Sequence, residues 1–246
     1  MPQWLEAGLW GSLAGGALVL GAGIAWLVRV PAQIIAGIMA FGAGVLIEAL
    51  AFELIDEAER SGGLGPTAIG FVAGASAYVG ANVLLARYGA RHRKRSGDQQ
   101  AGEQGSGLAI AVGALLDGIP ESIVLGLSLL NGGGVAVLAA VFVSNVPEGL
   151  SSAAGMKRAG RGPGYVFGVW GGIAAASGLA AVLGNLVLSD ASPAAVATIT
   201  AVAAGAILAT VADTMIPEAF ERNHALTGLI TTLGFLSAFT IERLNG

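Results

Sequence analysis

From Trp4 to Val28 the chain carries one charge, Glu6. A hydrocarbon layer about 30 Å thick is crossed by ~20 apolar residues of helix, so this run has the length and character of a membrane span. In lipid every backbone N–H and C=O needs an internal partner, and a single run meets that need as an α-helix. Charged residues make up 11% of the chain, against about a quarter in an ordinary soluble domain, and 54% are hydrophobic.

Further runs of the same kind follow. Arg29-Val30-Pro31 ends the first. The second runs from Gln33 to an acidic tail ending at Glu59, the third from Leu64 to Arg87, and the fourth from Gly107 to Leu130. The fifth spans Val135 to Met156, the sixth Tyr165 to Leu188, the seventh Ala194 to Glu218 and the eighth Ala225 to Ile241. Asp190-Ala191-Ser192-Pro193 has the composition of a turn and a helix start. The expected fold is all-α: one transmembrane domain, 1–246, of eight helices. Residues 88–106, with Arg91-His92-Arg93-Lys94-Arg95 and a Gly/Gln/Ser/Glu stretch, read as a flexible loop without a core. Frequent glycine and alanine suit close helix packing in lipid and are compatible with a homodimer. The absence of cysteine excludes disulfides and thiolate metal sites, and a net charge of −4 gives no sign of a nucleic-acid partner.

Basic residues orient the spans, because Lys and Arg gather on the cytoplasmic side. With the 88–106 loop inside, Arg29, Arg87, Arg91, Arg93, Lys94, Arg95, Lys157, Arg158, Arg161 and Arg222 all fall inside, and Arg60 and Arg243 outside. Both termini then lie outside, in a bacterial-type plasma (inner) membrane. Glu53-Leu54-Ile55-Asp56-Glu57-Ala58 near the end of the second run echoes Thr214-Met215-Ile216-Pro217-Glu218-Ala219 near the end of the seventh. The two ends face opposite sides, the relation found between inverted repeats of transporters.

Within the fourth run lies Asp117-Gly118-Ile119-Pro120-Glu121, and within the fifth Ser144-Asn145-Val146-Pro147-Glu148. A carboxylate at membrane depth persists with a partner or a task. Asp117 and Glu121, four residues apart, share a helix face. Glu121 lies ~20 Å into its helix from Leu108, and Glu148 ~20 Å in from Val135 on the opposite side, at 1.5 Å per residue. Three converging carboxylates repel and are neutralised by protons or by a cation. Ser144 and Asn145 add neutral oxygens, and Pro120 and Pro147 free the carbonyls of Leu116 and Val143. Such an oxygen cage suits divalent cations. A Pro-Glu pair also suits the first turn of a helix at the membrane surface, but that would leave both runs too short to span. Glu48, Glu53, Asp213 and Glu218 are candidate pathway residues. Asp56, Glu57 and Glu59 read as a solvated outer end.

Eight spans, a polar loop after the third, and Pro-Glu motifs on the fourth and fifth resemble the ZIP (Zrt/Irt-like) divalent-metal transporters, in element order along essentially the whole chain. The specific likeness is confined to Asp117–Gly126 and Ser144–Gly149, and more loosely to Ser177–Gly184 and Asp213–Ala219. The resemblance implies a 3+2+3 inverted-repeat bundle, a mid-membrane metal site on helices four and five, and a bundle of helices one, four, five and six that shifts against the rest. Here Asp117 stands where the family has histidine, Gly118 where it has asparagine, Asn145 where aspartate is common, and Ala181-Val182 where helix six has Glu-Pro. One carboxylate site, Asp117, Glu121 and Glu148, is thus kept, and a second has lost its ligands. By this resemblance the substrate is zinc, with manganese, iron and cadmium in the same class, imported toward the cytoplasm by alternating access. Two other readings stand beside it. One is an intramembrane metal-dependent enzyme, for which the chain offers no Gly-x-Ser-x-Gly and no His-Glu-x-x-His. The other is a ZIP-like protein that binds or senses metal without transporting it.

Overall fold

The computed structural model describes residues 2–87, 106–129 and 135–245. Among these every regular element is helical: α1 Gln3–Leu27, α2 Ala32–Ala49, α3 Ile55–Gly62, α4 Leu64–Arg87, α5 Ser106–Ser128, α6 Val135–Arg158, α7 Pro163–Leu188, α8 Pro193–Thr210, α9 Ile216–Asn223 and α10 Leu226–Asn245. The loop expected over 88–106 lies outside the described residues up to Ser106, where α5 begins.

Local sequence explains most boundaries. Pro163 and Pro193 occupy first-turn positions, where a missing N–H costs nothing. The Ser192 side chain accepts a hydrogen bond from the Ala195 N–H at 3.3 Å, an N-cap at the turn expected there. Gly63 and Gly160 follow α3 and α6 with φ of 79° and 77°, left-handed values that glycine adopts without strain.

Six helices among the described residues are long and apolar enough to cross a membrane: Gln3–Leu27, Ala32–Gly62, Leu64–Leu84, Val137–Arg158, Pro163–Leu188 and Pro193–Asn223. This is the architecture of an integral membrane protein. Large apolar side chains such as Leu13, Leu27, Ile69, Leu183 and Leu229 point outward, as a lipid-facing surface requires. The helices α5 and α10 stand at the fourth and eighth expected spans but are not among those six.

Two of the spans depart from the uninterrupted helices expected. A π-helical turn, Leu50–Leu54, joins α2 to α3, and another, Val211–Met215, joins α8 to α9. Each rod continues past its expected end, to Gly62 and Asn223. The two are built alike: 18 residues of α-helix, five of π-turn and eight of α-helix. A π-turn inserts a residue and turns the following face by about 100°.

Packing divides the helices into two groups. One holds α1, α5, α6 and α7; in the other α2 packs on α10 and α4 on α8. The groups meet through α2 against α6 and α5 against α8. In lipid, apolar contact between helices gains little over contact with acyl chains, so close backbone approach has to supply the attraction. Gly44 sets α2 against the Thr231 carbonyl and Phe235 N–H of α10; Gly205 sets α8 against the Phe71 carbonyl and Ala75 N–H of α4. A Cβ at either position would run into that backbone. The main apolar core fills the seam between the groups, with Met39, Leu46 and Leu54 meeting Val124, Leu125, Val141 and Ile207.

Candidate metal centre

Both proline motifs sit inside continuous helices, Pro120 in α5 and Pro147 in α6, so neither opens a helix at a membrane surface. Glu121 is 5% exposed. It lines a small cavity in the seam with Leu46, Leu50 and Leu54 from the α2–α3 rod, Val141 from α6 and Ile207 from α8. Leu50 and Leu54 belong to the first π-turn, so that turn walls the carboxylate on one side. On the next position, the Ser122 hydroxyl donates to the Gly118 carbonyl at 2.6 Å.

On α6 the motif is enclosed in part. Ser144 and Asn145 are buried, and Glu148 is half-buried. The Ser144 hydroxyl donates to the Val141 carbonyl at 3.0 Å, leaving its oxygen lone pairs for another group. Asn145 Nδ2 donates to the Ala14 carbonyl of α1 at 3.0 Å, which aims its amide from α6 toward α1. Asp117 lies in α5, but its side chain is outside the described residues. Among the described residues no three acid or histidine side chains gather as a metal-binding group.

The pathway candidates separate by environment. Glu48 is 2% exposed on α2, Glu53 is half-buried in the first π-turn, and Asp213 is exposed in the second. Glu218 is 6% exposed in α9, and the Ser151 hydroxyl of α6 donates to its Oε1 at 2.5 Å. That bond ties the first helix group to the second. Asp56 forms an exposed ion pair with Arg60 at 2.7 Å, in keeping with the solvated end expected there.

One participant escaped the sequence reading, Ser151. Ser151 follows Glu148 by three residues, so the helical period places it beside that carboxylate, but a serine in a small-residue run gives no sign of an acid partner.

The positions where the ZIP resemblance expects lost ligands are used in packing. Ala181 is fully buried, with its carbonyl against Gly126 of α5 and its Cβ against Gly11 of α1. A larger acid has no room there. A Cβ on Gly118 would come 3.5 Å from Ser177 Oγ, so that position faces α7. No protein-family model matches the chain and no curated protein matches it, so any function must be argued from these residues.

Proposed function

We propose that the chain is an eight-helix transporter of divalent metal cations. Asp117, Glu121 and Glu148 bind the substrate, Ser144 and Asn145 contribute neutral oxygens, and the metal moves toward the cytoplasm by alternating access. The observation that carries this reading is Glu121, an acid 5% exposed on a proline-containing helix, at a cavity in the seam between two helix groups. Carboxylates at that depth are characteristic of ion pathways. Oxygen donors suit hard and borderline divalent ions; zinc is the substrate implied by the ZIP resemblance, with manganese, iron and cadmium in its class.

Alternating access needs two bodies that move against one another around the site. The like-built rods, each with a π-turn, and the matching glycine contacts of α2 on α10 and α8 on α4 support an inverted repeat. The basic residues support a cytoplasmic 88–106 loop with both termini outside, in a bacterial-type plasma membrane.

A second reading, metal binding without transport, is favoured by one observation. Asn145 and Ala181 are engaged in helix packing, so the second metal site of the ZIP pattern has no counterpart. Proteoliposomes distinguish the two. Uptake of Zn²⁺ or Mn²⁺ into metal-depleted vesicles is expected from the native chain. It should fall by roughly tenfold or more in Glu121→Ala and Glu148→Ala, on the scale at which even groups supporting a ligand act. Undiminished uptake in both variants sinks the site assignment. Equilibrium binding without flux selects the second reading. Protons compete for the same carboxylates, so uptake at fixed metal should fall as the pH is lowered.

A further inference from the structure

The close glycine contacts recur across the molecule with a constant shift in numbering for each pair of helices. Gly44 of α2 against Thr231 and Phe235 of α10 is matched by Gly205 of α8 against Phe71 and Ala75 of α4. Gly234 against the Phe41 carbonyl is matched by Gly74 against the Val202 carbonyl. These contacts equate α2 with α8 and α4 with α10, residue for residue. Gly149 against the Leu18 carbonyl is matched by Gly126 against the Ala181 carbonyl, and Gly21 against the Val146 carbonyl by Gly184 against the Ile123 carbonyl. Those equate α6 with α5 and α1 with α7.

Carried along the like-built rods and along α6, the same shifts equate Glu218 with Glu57 and Ser151 with Ser128. The residue types agree, although neither pair fixed the shifts. The two pairs lie at opposite ends of the molecule. Gly62 of α3 meets Ala197 at the start of α8, whereas Glu218 lies beyond the end of α8. Leu129, next to Ser128, clusters with Ala7 near the start of α1, whereas Lys157 of α6 closes the end of α1.

The pairs differ in state. Ser151 and Glu218 are 0% and 6% exposed and bonded at 2.5 Å. Glu57 is exposed and Ser128 half-buried, and the Ser128 hydroxyl donates to the Val124 carbonyl of its own helix at 2.9 Å. A χ1 rotation re-aims such a hydroxyl, and a carboxylate accepts it more strongly than a backbone carbonyl does. Either bond would join the group of α1, α5, α6 and α7 to the other group. Bodies related by an inverted repeat can rock to close either end.

We propose that Ser128 and Glu57 make the counterpart of the Ser151–Glu218 bond when the protein closes at its other end, so that one Ser–Glu latch holds each of two alternating states. The pairing rests on alternating access as proposed above, and it needs no metal at either latch.

The chain has no cysteine, so introduced cysteine pairs report proximity directly. Full-length chains in lipid vesicles, Glu57→Cys/Ser128→Cys and Ser151→Cys/Glu218→Cys, are treated with a bifunctional thiol reagent of short span, and intact mass counts the bridges. Both pairs should bridge. In a chain carrying all four changes, a bridge at one end should exclude a bridge at the other. A Glu57/Ser128 pair that stays open while the other pair bridges overturns the proposal, as do chains bridged at both ends. Ser151→Ala needs no change at Glu218: added to Glu57→Cys/Ser128→Cys it should speed bridging roughly tenfold, because it releases the opposing latch, and an unchanged rate overturns the proposal. Zn²⁺ flux in vesicles separates the two readings. Exclusive bridging without flux keeps the latches and removes transport, whereas flux in the native chain with no Glu57/Ser128 bridge removes the latches alone.

Discussion

Alanine at Gly11 tests directly how α1 sits on α7. A Cβ there would stand 2.6 Å from the Ala181 Cβ, 2.8 Å from the Ser177 carbonyl oxygen and 3.1 Å from the Gly178 Cα. Ordinary contact begins at 3.4 Å, so the nearest pair falls 0.8 Å short. None of the three atoms can rotate away, so the helices must separate. Overpacking of this kind costs ~1–3 kcal/mol, and a rigid obstacle belongs at the upper end of that range. Replacing glycine by alanine inside a helix returns about 1 kcal/mol, leaving a net loss of roughly 2 kcal/mol. For a chain of this size that lowers the melting temperature by roughly 4–8 °C. Gly16 is the control: it lies on the same helix with nothing within 4 Å of its Cβ position, so alanine there should stabilise by up to ~1 kcal/mol. Thermal unfolding in one detergent, followed by tryptophan fluorescence, compares the two; Trp170, 1% exposed on α7, reports on the packed interior. A Gly11→Ala protein that melts as high as Gly16→Ala would refute the described approach of α1 to α7.

Other outcomes follow from single contacts. Ser151→Ala removes the donor to the buried Glu218 carboxylate and should cost ~1.5–3 kcal/mol, the range for a hydrogen bond to a charged group. In a Glu218→Ala background the same change should be nearly silent, and equal losses in both backgrounds would show that the bond is not formed. Lys157 Nζ donates to the Trp26 carbonyl at 2.5 Å and the Ala25 carbonyl at 3.4 Å, and lies 5.2 Å from the Trp26 ring centroid. It therefore closes the end of α1, where backbone carbonyls lack helical partners. Lys157→Met should cost ~1 kcal/mol and shift the Trp26 emission; an unchanged emission spectrum would place the ammonium elsewhere. Asn145→Leu removes a second donor to the Ala14 carbonyl, which keeps its bond within α1, and should cost about 0.5–1.5 kcal/mol, the range for one neutral hydrogen bond, read in the same melting assay.

Much of the architecture was legible because it is written in local sums. Hydropathy over a window of ~20 residues reports membrane length directly, and the runs that begin at Trp4, Gln33, Leu64, Val135, Tyr165 and Ala194 all became membrane-length helices. Ser192-Pro193 announced a helix start because capping is a contact between neighbours in sequence. The π-turns were not legible: Leu50–Leu54 and Val211–Met215 are as apolar and as helix-compatible as the turns around them. Only the Glu53–Ala58 echo of Thr214–Ala219 marked the two regions as related, and it spans the end of each π-turn. The acids were easy to find, since a charge in an apolar run stands out. Their surroundings were not. Nothing in composition separates Asp213, which is exposed, from Glu218, which is buried against Ser151.

The sequence by itself determined the solvent, the helical class and the two proline motifs with acids inside apolar runs. Each of these is a property of residues close together along the chain, and lipid leaves the backbone of an apolar run no alternative to the helix. The tertiary structure alone decided which helices became neighbours. Through that it decided that Ala181 is gripped between α1 and α5, that Asn145 is committed to Ala14, and that Ser151 holds Glu218. Those outcomes depend on where glycines such as Gly11, Gly44 and Gly205 let two backbones come together. Such a fit belongs to a pair of surfaces, and neither helix carries it alone.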